Sequence, residues 1–309
     1  RILKNNKSIK FLYASGPPFN THIIGYLAKK KFNIPLVIEY RDPWSYNPYI
    51  NINNKSLDSK INMLIEKRIL QSANIIITVS PALNSFLVKN FPYIKNKPIY
   101  YISNGLNIFR RYDYLKNQSK TITFTYTGRL YGKREIFPLL KIISDLKKEN
   151  FFKGFNFKLR IFGYYIKPYL EDIIKKLDIE DCIFLGDFIT RTKALNEITK
   201  CHLAIHIGEE LNYPTIAFKV WDYLSCRKKI LYIGYEQSYT ANFLKKYDFG
   251  IIIPLNNLVR GKKILSDLIA KIKDKKFDSI IDDKKLLEFT WEKKVSKFIN
   301  VVVKEIIEN

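Results

Sequence analysis

The feature that most constrains this chain is a rhythm. Short runs of β-branched and other apolar residues alternate with longer segments whose apolar side chains recur at helical spacing. Such an alternation folds as a parallel sheet, because each parallel crossover needs a dozen or more residues and spends them on a helix covering the sheet. In the first third, Lys10–Ala14, Pro35–Tyr40, Asn74–Val79 and Pro98–Ile102 read as strands, separated by helices near Thr21–Lys31, Ser59–Ser72 and Pro81–Asn90. Ser80-Pro81 marks a helix start on its own chemistry: the serine oxygen accepts from an orphan N–H, and proline removes another at the first helical position.

The polar stretch Arg110–Lys120 interrupts the rhythm and reads as a linker. After it come strands near Ile122–Thr127, Lys158–Phe162, Cys182–Leu185, His202–Ile207, Lys229–Ile233 and Ile251–Ile253. Helices are expected near Glu135–Glu149, Pro168–Leu177, Thr192–Thr199, Thr215–Ser225, Tyr239–Tyr247, Leu258–Ile272 and, terminally, Lys284–Ile307. The fold class is therefore α/β with two Rossmann-like doubly wound domains, 1–112 and 121–283, a linker at 113–120, and a C-terminal helix at 284–309 able to pack back on the first domain. Four strands against six make the first sheet look incomplete. A chain that opens on Arg1 rather than Met is expected to be a piece lacking its N-terminus.

Composition supports a folded two-domain chain: 309 residues with 47% hydrophobic content supply an ample core. No apolar run approaches the ~20 residues needed to cross a bilayer. The three cysteines, Cys182, Cys201 and Cys226, lack any paired spacing, which argues against a zinc site or disulfide framework and suits a reducing cytoplasm. Lys and Arg number 53 against 29 Asp and Glu, a net charge of +24. The excess is densest in the first part, which is compatible with peripheral contact to an anionic membrane. Nucleic acid is not the expected partner: there is no helix-turn-helix, zinc-finger or RNP-type aromatic pattern, and the 21 Tyr and 21 Phe are spread along the chain.

Ligands of open α/β sheets bind beyond the carboxyl ends of strands, so the segments following strands carry the candidate chemistry. Ser15-Gly16-Pro17-Pro18-Phe19-Asn20-Thr21-His22 leads from a strand into a helix whose first N–H groups can hold an anion, with Asn20 or Thr21 available as a cap. Arg41-Asp42-Pro43-Trp44 places a charged pair and an aromatic after the second strand, either to hold a polar ligand or as a local Arg41–Asp42 network. Gly128-Arg129-Leu130-Tyr131-Gly132-Lys133-Arg134 puts three cations before a helix N-terminus, where they oppose the macrodipole and ask for an anion. The stretch from Gly208-Glu209-Glu210 to Lys219 and Asp222 supplies carboxylates and a cation, although Lys219 and Asp222 also fit an ordinary i,i+3 ion pair.

These segments together, GPPFNTHIIG, PLVIEYRDPW, ITVSPAL, ISNGLN, FTYTGRLYGKRE, CIFLGDF and FKVWDYL with the terminal Phe289-Thr290-Trp291, resemble the GT-B glycosyltransferases, specifically the retaining family 4 type with an Arg-Asp-Pro-Trp loop. The resemblance implies two Rossmann-like domains facing a cleft, the acceptor mainly on the first and a nucleotide-sugar mainly on the second. It implies catalytic roles for Arg129, Lys133 and His22, and donor contacts from Gly128, Arg134, Lys219, Asp222, Glu209 and Glu210. Gly16, Asn20, Arg41, Asp42 and Trp44 fall on the acceptor side or cleft. Asp222 matches the second carboxylate of the family's Glu-x7-Glu pair, but Pro214 stands where the first is expected. The nucleotide-sugar is a substrate; no cofactor or metal is implied. The acceptor would be a glycan or lipid-linked glycan in cell-surface polysaccharide or lipopolysaccharide assembly. An inverting GT-B enzyme, a sugar-nucleotide epimerase, a non-catalytic nucleotide-binding remnant and a basic nucleic-acid-binding protein remain as alternatives.

Overall fold

A computed structural model describes residues 3, 8–47, 56–108, 121–130, 136–208 and 213–308. It contains two parallel sheets. The first has four strands in the order β1 (Leu12–Gly16), β2 (Leu36–Tyr40), β3 (Ile75–Thr78) and β4 (Ile99–Tyr101). Helices Asn20–Phe32, Leu57–Ser72 and Pro81–Asn90 make its crossovers. Leu36, Ile38, Tyr40 and Ile76 pack on one face, with Ile69 and Leu70 of the second helix and Leu83 and Leu87 of the third. Val37, Ile75 and Ile77 alternate to the other face and meet Val301 and Val302 from the C-terminal helix Trp291–Val302. Burial on both faces is why these strands read as continuous apolar runs instead of alternating ones.

The second sheet has six strands in the order β10-β9-β8-β5-β6-β7, all parallel. They are β5 (Thr121–Arg129), β6 (Asn156–Tyr164), β7 (Ile183–Gly186), β8 (Leu203–Ile207), β9 (Ile230–Gly234) and β10 (Gly250–Pro254). The chain proceeds from β5 outward through β6 to β7, then returns to lay β8 on the other side of β5. The direction of winding therefore reverses between β5 and β8, which opens a crevice at their carboxyl ends. Phe124, Leu159, Ile205 and Leu231 form the centre of its core with Leu139, Ile143, Leu265 and Ile269 from the covering helices.

All ten expected strands occur, with ends shifted by one or two residues. Helix Pro81–Asn90 begins where Ser80-Pro81 places it, and Ser80 Oγ accepts from Leu83 N at 2.8 Å. Strands β5 and β6 run two residues beyond their expected ends, to Arg129 and Tyr164, with Gly128 and Gly163 paired inside them. The terminal helix is broken: a turn at Asp283–Leu286 and a 3-10 turn at Leu287–Phe289 precede Trp291–Val302, which finishes in a π-helical turn at Val303–Ile307.

Two compact units divide the chain. One holds Arg1–Gly105, Tyr213–Ile216 and Phe289–Asn309; the other holds Leu106–Asn212 and Ala217–Glu288. The expected linker at 113–120 lies outside the described residues. Among the described residues no helix is long and apolar enough to cross a membrane, and no three His, Cys, Asp or Glu gather as a metal site would require.

Candidate functional site

The reversal point of the second sheet holds the strongest constellation. Strand β5 delivers Tyr126, Gly128 and Arg129 to its carboxyl end, and helix Phe218–Ser225, which follows β8, delivers Lys219. The Tyr126 hydroxyl joins them: it donates to the Arg129 carbonyl at 2.8 Å and accepts from Lys219 Nζ at 3.3 Å. Lys219 Nζ also sits over the Tyr126 ring, 4.6 Å from its centroid. Gly128 adopts φ +139°, and a Cβ there would collide with the Lys219 ammonium. Glycine thus serves two ends, a backbone conformation that L side chains rarely adopt and the seat for a cation. Arg129 is exposed.

Asp222 lies on the same helix as Lys219 but answers a different partner. Arg191 Nη2 and Nε approach its Oδ1 at 2.6 and 3.2 Å, while Lys219 turns to Tyr126. The alternative of an i,i+3 pair between Lys219 and Asp222 is not what forms: Asp222 pairs with Arg191 and Lys219 Nζ bonds the Tyr126 hydroxyl. The ring of a neighbouring strand and a guanidinium from helix Arg191–Thr199 offer each group a better-placed partner. Lys133, Arg134, Glu209 and Glu210 lie outside the described residues.

In the first unit, parallel pairing of β1 with β2 brings the first two motifs together. Arg41 N donates to the Gly16 carbonyl at 2.9 Å, and its guanidinium Nη2 donates to the Pro17 carbonyl. Trp44 stacks on Phe19 with centroids 4.9 Å apart and planes 1° from parallel. Gly16 is required by this packing, since a Cβ would stand 2.6 Å from the Phe19 ring. Asp42 accepts from Tyr213 Oη at 3.0 Å and Thr215 Oγ1 at 3.2 Å, so the expected Arg41–Asp42 network is replaced by separate partners for each. The Ser80 hydroxyl donates to the Pro214 carbonyl, fastening the same short segment.

Two expectations for this region are corrected. His22, placed in the catalytic set, is fully enclosed at 0% exposure. Its Nε2 lies 3.0 Å from the Glu39 carbonyl and its ring is 4.9 Å from Tyr40. Burial pushes its pKa down to about 4, against backbone hydrogen bonds that raise it. That burial and pKa direction fit a ring packed in the first unit's core and not one exposed to a substrate. The helix N-terminus offers no ready anion site either. Thr21, His22 and Ile23 N–H groups turn back to the Pro18 and Phe19 carbonyls. Asn20 is exposed and does not cap; the Thr21 hydroxyl instead ties the turn by donating to Ser15 O at 2.7 Å.

One buried carboxyl gives no sign of itself in the sequence. Glu66, from helix Leu57–Ser72, is 1% exposed beneath the loop that follows β2, and its Oε2 accepts from Ser45 N at 2.9 Å. Burial raises its pKa to about 7, with hydrogen bonds from Ser45 and Tyr40 pulling the other way. Within a helix that carries several polar residues, a lone glutamate does not stand out.

Comparison with solved structures matches this architecture throughout its length. The fold is GT-B-like. Sucrose-phosphate synthase from Thermosynechococcus elongatus superposes with a TM-score of 0.69 at 12% identity, over 97% of this chain and 74% of that one. TarM gives 0.68 at 15% identity, over 97% and 56%. The pneumococcal O-GlcNAc transferase GtfA, solved in complex with UDP and GlcNAc, gives 0.64 at 12%, over 92% and 54%. This chain thus spans little more than half the length of TarM and of GtfA. Residues 13–110 match the family model Glycosyltransferase Family 4. No curated protein sequence matches the chain significantly.

Proposed function

We propose that the chain belongs to a GT-B glycosyltransferase that moves a sugar from a nucleoside-diphosphate donor to a glycan or lipid-linked acceptor, with retention and with protein cations receiving the leaving group. The observation that carries this is the assembly of Gly128, Arg129 and Lys219 where the second sheet reverses its winding. The family match over residues 13–110 and the GT-B-like fold support the transfer chemistry. The UDP held by the GtfA structure makes that nucleotide the first donor base to test.

The chemistry asks for what this crevice offers. As the bond between the anomeric carbon and the diphosphate oxygen breaks, its electron pair leaves with the diphosphate, and positive charge develops on the sugar. Cations fixed in advance at the leaving oxygens stabilise that charge separation without reorganising. The Arg129 fork can engage two phosphate oxygens, and Lys219 adds a point charge beside it. Asp222, already neutralised by Arg191, would serve a ribose hydroxyl as an acceptor without repelling the diphosphate. By the family resemblance, Arg41 and Asp42 of the first unit belong to the acceptor side of this reading. Retention and assembly of cell-surface glycans follow from the family resemblance.

Titration calorimetry with UDP, GDP and ADP tests the proposal directly. One of the three binds, and Arg129→Ala weakens it by roughly tenfold or more while the melting temperature is kept. A chain that binds none of them, or whose binding ignores Arg129, overturns it.

A further inference from the structure

Arg129 is mounted on an aromatic ring. Its guanidinium lies over Tyr164, 4.9 Å from the centroid, and Phe188 stacks behind Tyr164 with centroids 4.6 Å and planes 26° apart. Tyr164 is 51% and Phe188 59% exposed, so the stack stands in solvent and not in the core. Among the described residues Arg129 has no carboxylate within ion-pair distance.

The backbone is shaped to make this stack. Gly128 and Gly163 are partners in the β5–β6 register, and so are the residues that follow them, Arg129 and Tyr164. Both glycines take nearly the same unusual conformation, φ +139° and +138°. A Cβ on Gly163 would overlap the Gly128 carbonyl oxygen, so glycine at 163 is what lets the two strand ends approach this closely. Leu130 N then donates to the Tyr164 carbonyl at 2.9 Å and extends the ladder past the bend. Side chains of register partners stand side by side on one face. The paired glycines and the extended ladder fix the backbone on which Arg129 and Tyr164 meet.

We propose that Tyr164, backed by Phe188, is a positioning residue that presents the Arg129 guanidinium to the donor diphosphate; the proposal rests on the donor-site reading above. A carboxylate would also order this arginine, but it would neutralise the charge and compete with the phosphate for the same N–H groups. A ring attracts the cation through its face. It leaves the in-plane N–H fork open to bidentate contact with phosphate oxygens. The stack orders the arginine before the ligand arrives, which lowers the ordering cost of binding.

The test is a double-mutant cycle on the full chain, read by calorimetric titration of inorganic pyrophosphate and by the NMR shift of the Arg129 Nε–H group. Tyr164→Phe keeps the ring and leaves both readouts unchanged. Tyr164→Leu removes it, weakens pyrophosphate about two- to fivefold, and abolishes the ring-current displacement of the Arg129 resonance. In an Arg129→Gln background, Tyr164→Leu has no further effect on pyrophosphate. An equal loss in both backgrounds, or an Arg129 resonance indifferent to the Tyr164→Leu change, overturns the positioning role. If wild-type chain binds neither pyrophosphate nor a nucleoside diphosphate, the donor-site reading falls, and the Arg129 resonance alone still decides whether Tyr164 holds the guanidinium.

Discussion

The carboxyl ends of β2 and β5 handle polar groups in opposite ways. After β2, each group is spent on the protein. Arg41 holds the Gly16 and Pro17 carbonyls, Asp42 holds Tyr213 and Thr215, Glu66 is sealed beneath Ser45, and His22 is enclosed and neutral. At the end of β5, Arg129 rests on the face of an exposed ring and Lys219 on that of a buried one, and among the described residues no carboxylate pairs with the Arg129 guanidinium. Charge consumed by backbone carbonyls and hydroxyls is a mark of a scaffold.

The largest effect should come from the paired glycines at the carboxyl ends of β5 and β6. Gly163→Ala forces a Cβ onto the Gly128 carbonyl at φ +138° and should cost about 3 kcal/mol or more. Gly154→Ala, at φ +87° with open space around it, should cost only about 1 kcal/mol. Urea denaturation of the two variants compares them, and equal losses would mean the paired glycines carry no special load.

The buried groups of the first unit should show themselves in pH dependence. Glu66 is held above its ordinary value, so its contribution favours the fold below about pH 4.5 and is lost as pH rises toward 7. That swing amounts to about 3 kcal/mol at most. His22 is displaced the other way: the neutral ring suits the fold above about pH 6.5, and stability drains as pH falls toward 4. Glu66→Gln should therefore flatten the loss on the alkaline side and leave the acid limb in place. Denaturation curves at pH 5 and pH 8 check the difference, and parallel losses in wild type and variant would remove Glu66 from its buried role.

On the other side of the comparison, Arg129→Ala should lower sugar-transfer turnover roughly ten- to a hundredfold, since one charge-assisted hydrogen bond is worth about 1.5–3 kcal/mol. Steady-state rates with the donor at saturation measure it, and Arg41→Ala should produce a smaller fall. Smallest of all, Arg191→Ala breaks an ion pair whose arginine side chain is 66% exposed and should alter stability by less than about 1 kcal/mol. A larger loss in thermal melts would show that Asp222 depends on that partner.

Much of the fold was legible because parallel strands buried on both faces announce themselves as uninterrupted apolar runs, and Ser80-Pro81 fixes a helix start by local chemistry alone. Strand ends were less legible. Gly128 and Gly163 look like turn residues, but paired with each other they prolong β5 and β6. Arg129 and Lys219 could be singled out because each follows a strand. Their seats could not, since Tyr164 and Tyr126 become neighbours of the cations only through sheet register and crossover packing. The partner of Asp222 was not legible for the same reason: spacing along a helix says which groups share a face and nothing about a partner arriving from 31 residues away. Glu66 and His22 sit in helices where sequence gives no sign of burial.

Residues Tyr213–Ile216 cluster with the first unit although the chain on either side belongs to the second. The polypeptide accordingly changes unit at four places: after Gly105, after Asn212, after Ile216 and after Glu288. No single cut yields two self-sufficient halves. A fragment ending at Gly105 would leave the Asp42 carboxylate without Tyr213 and Thr215, and the Ser80 hydroxyl without Pro214.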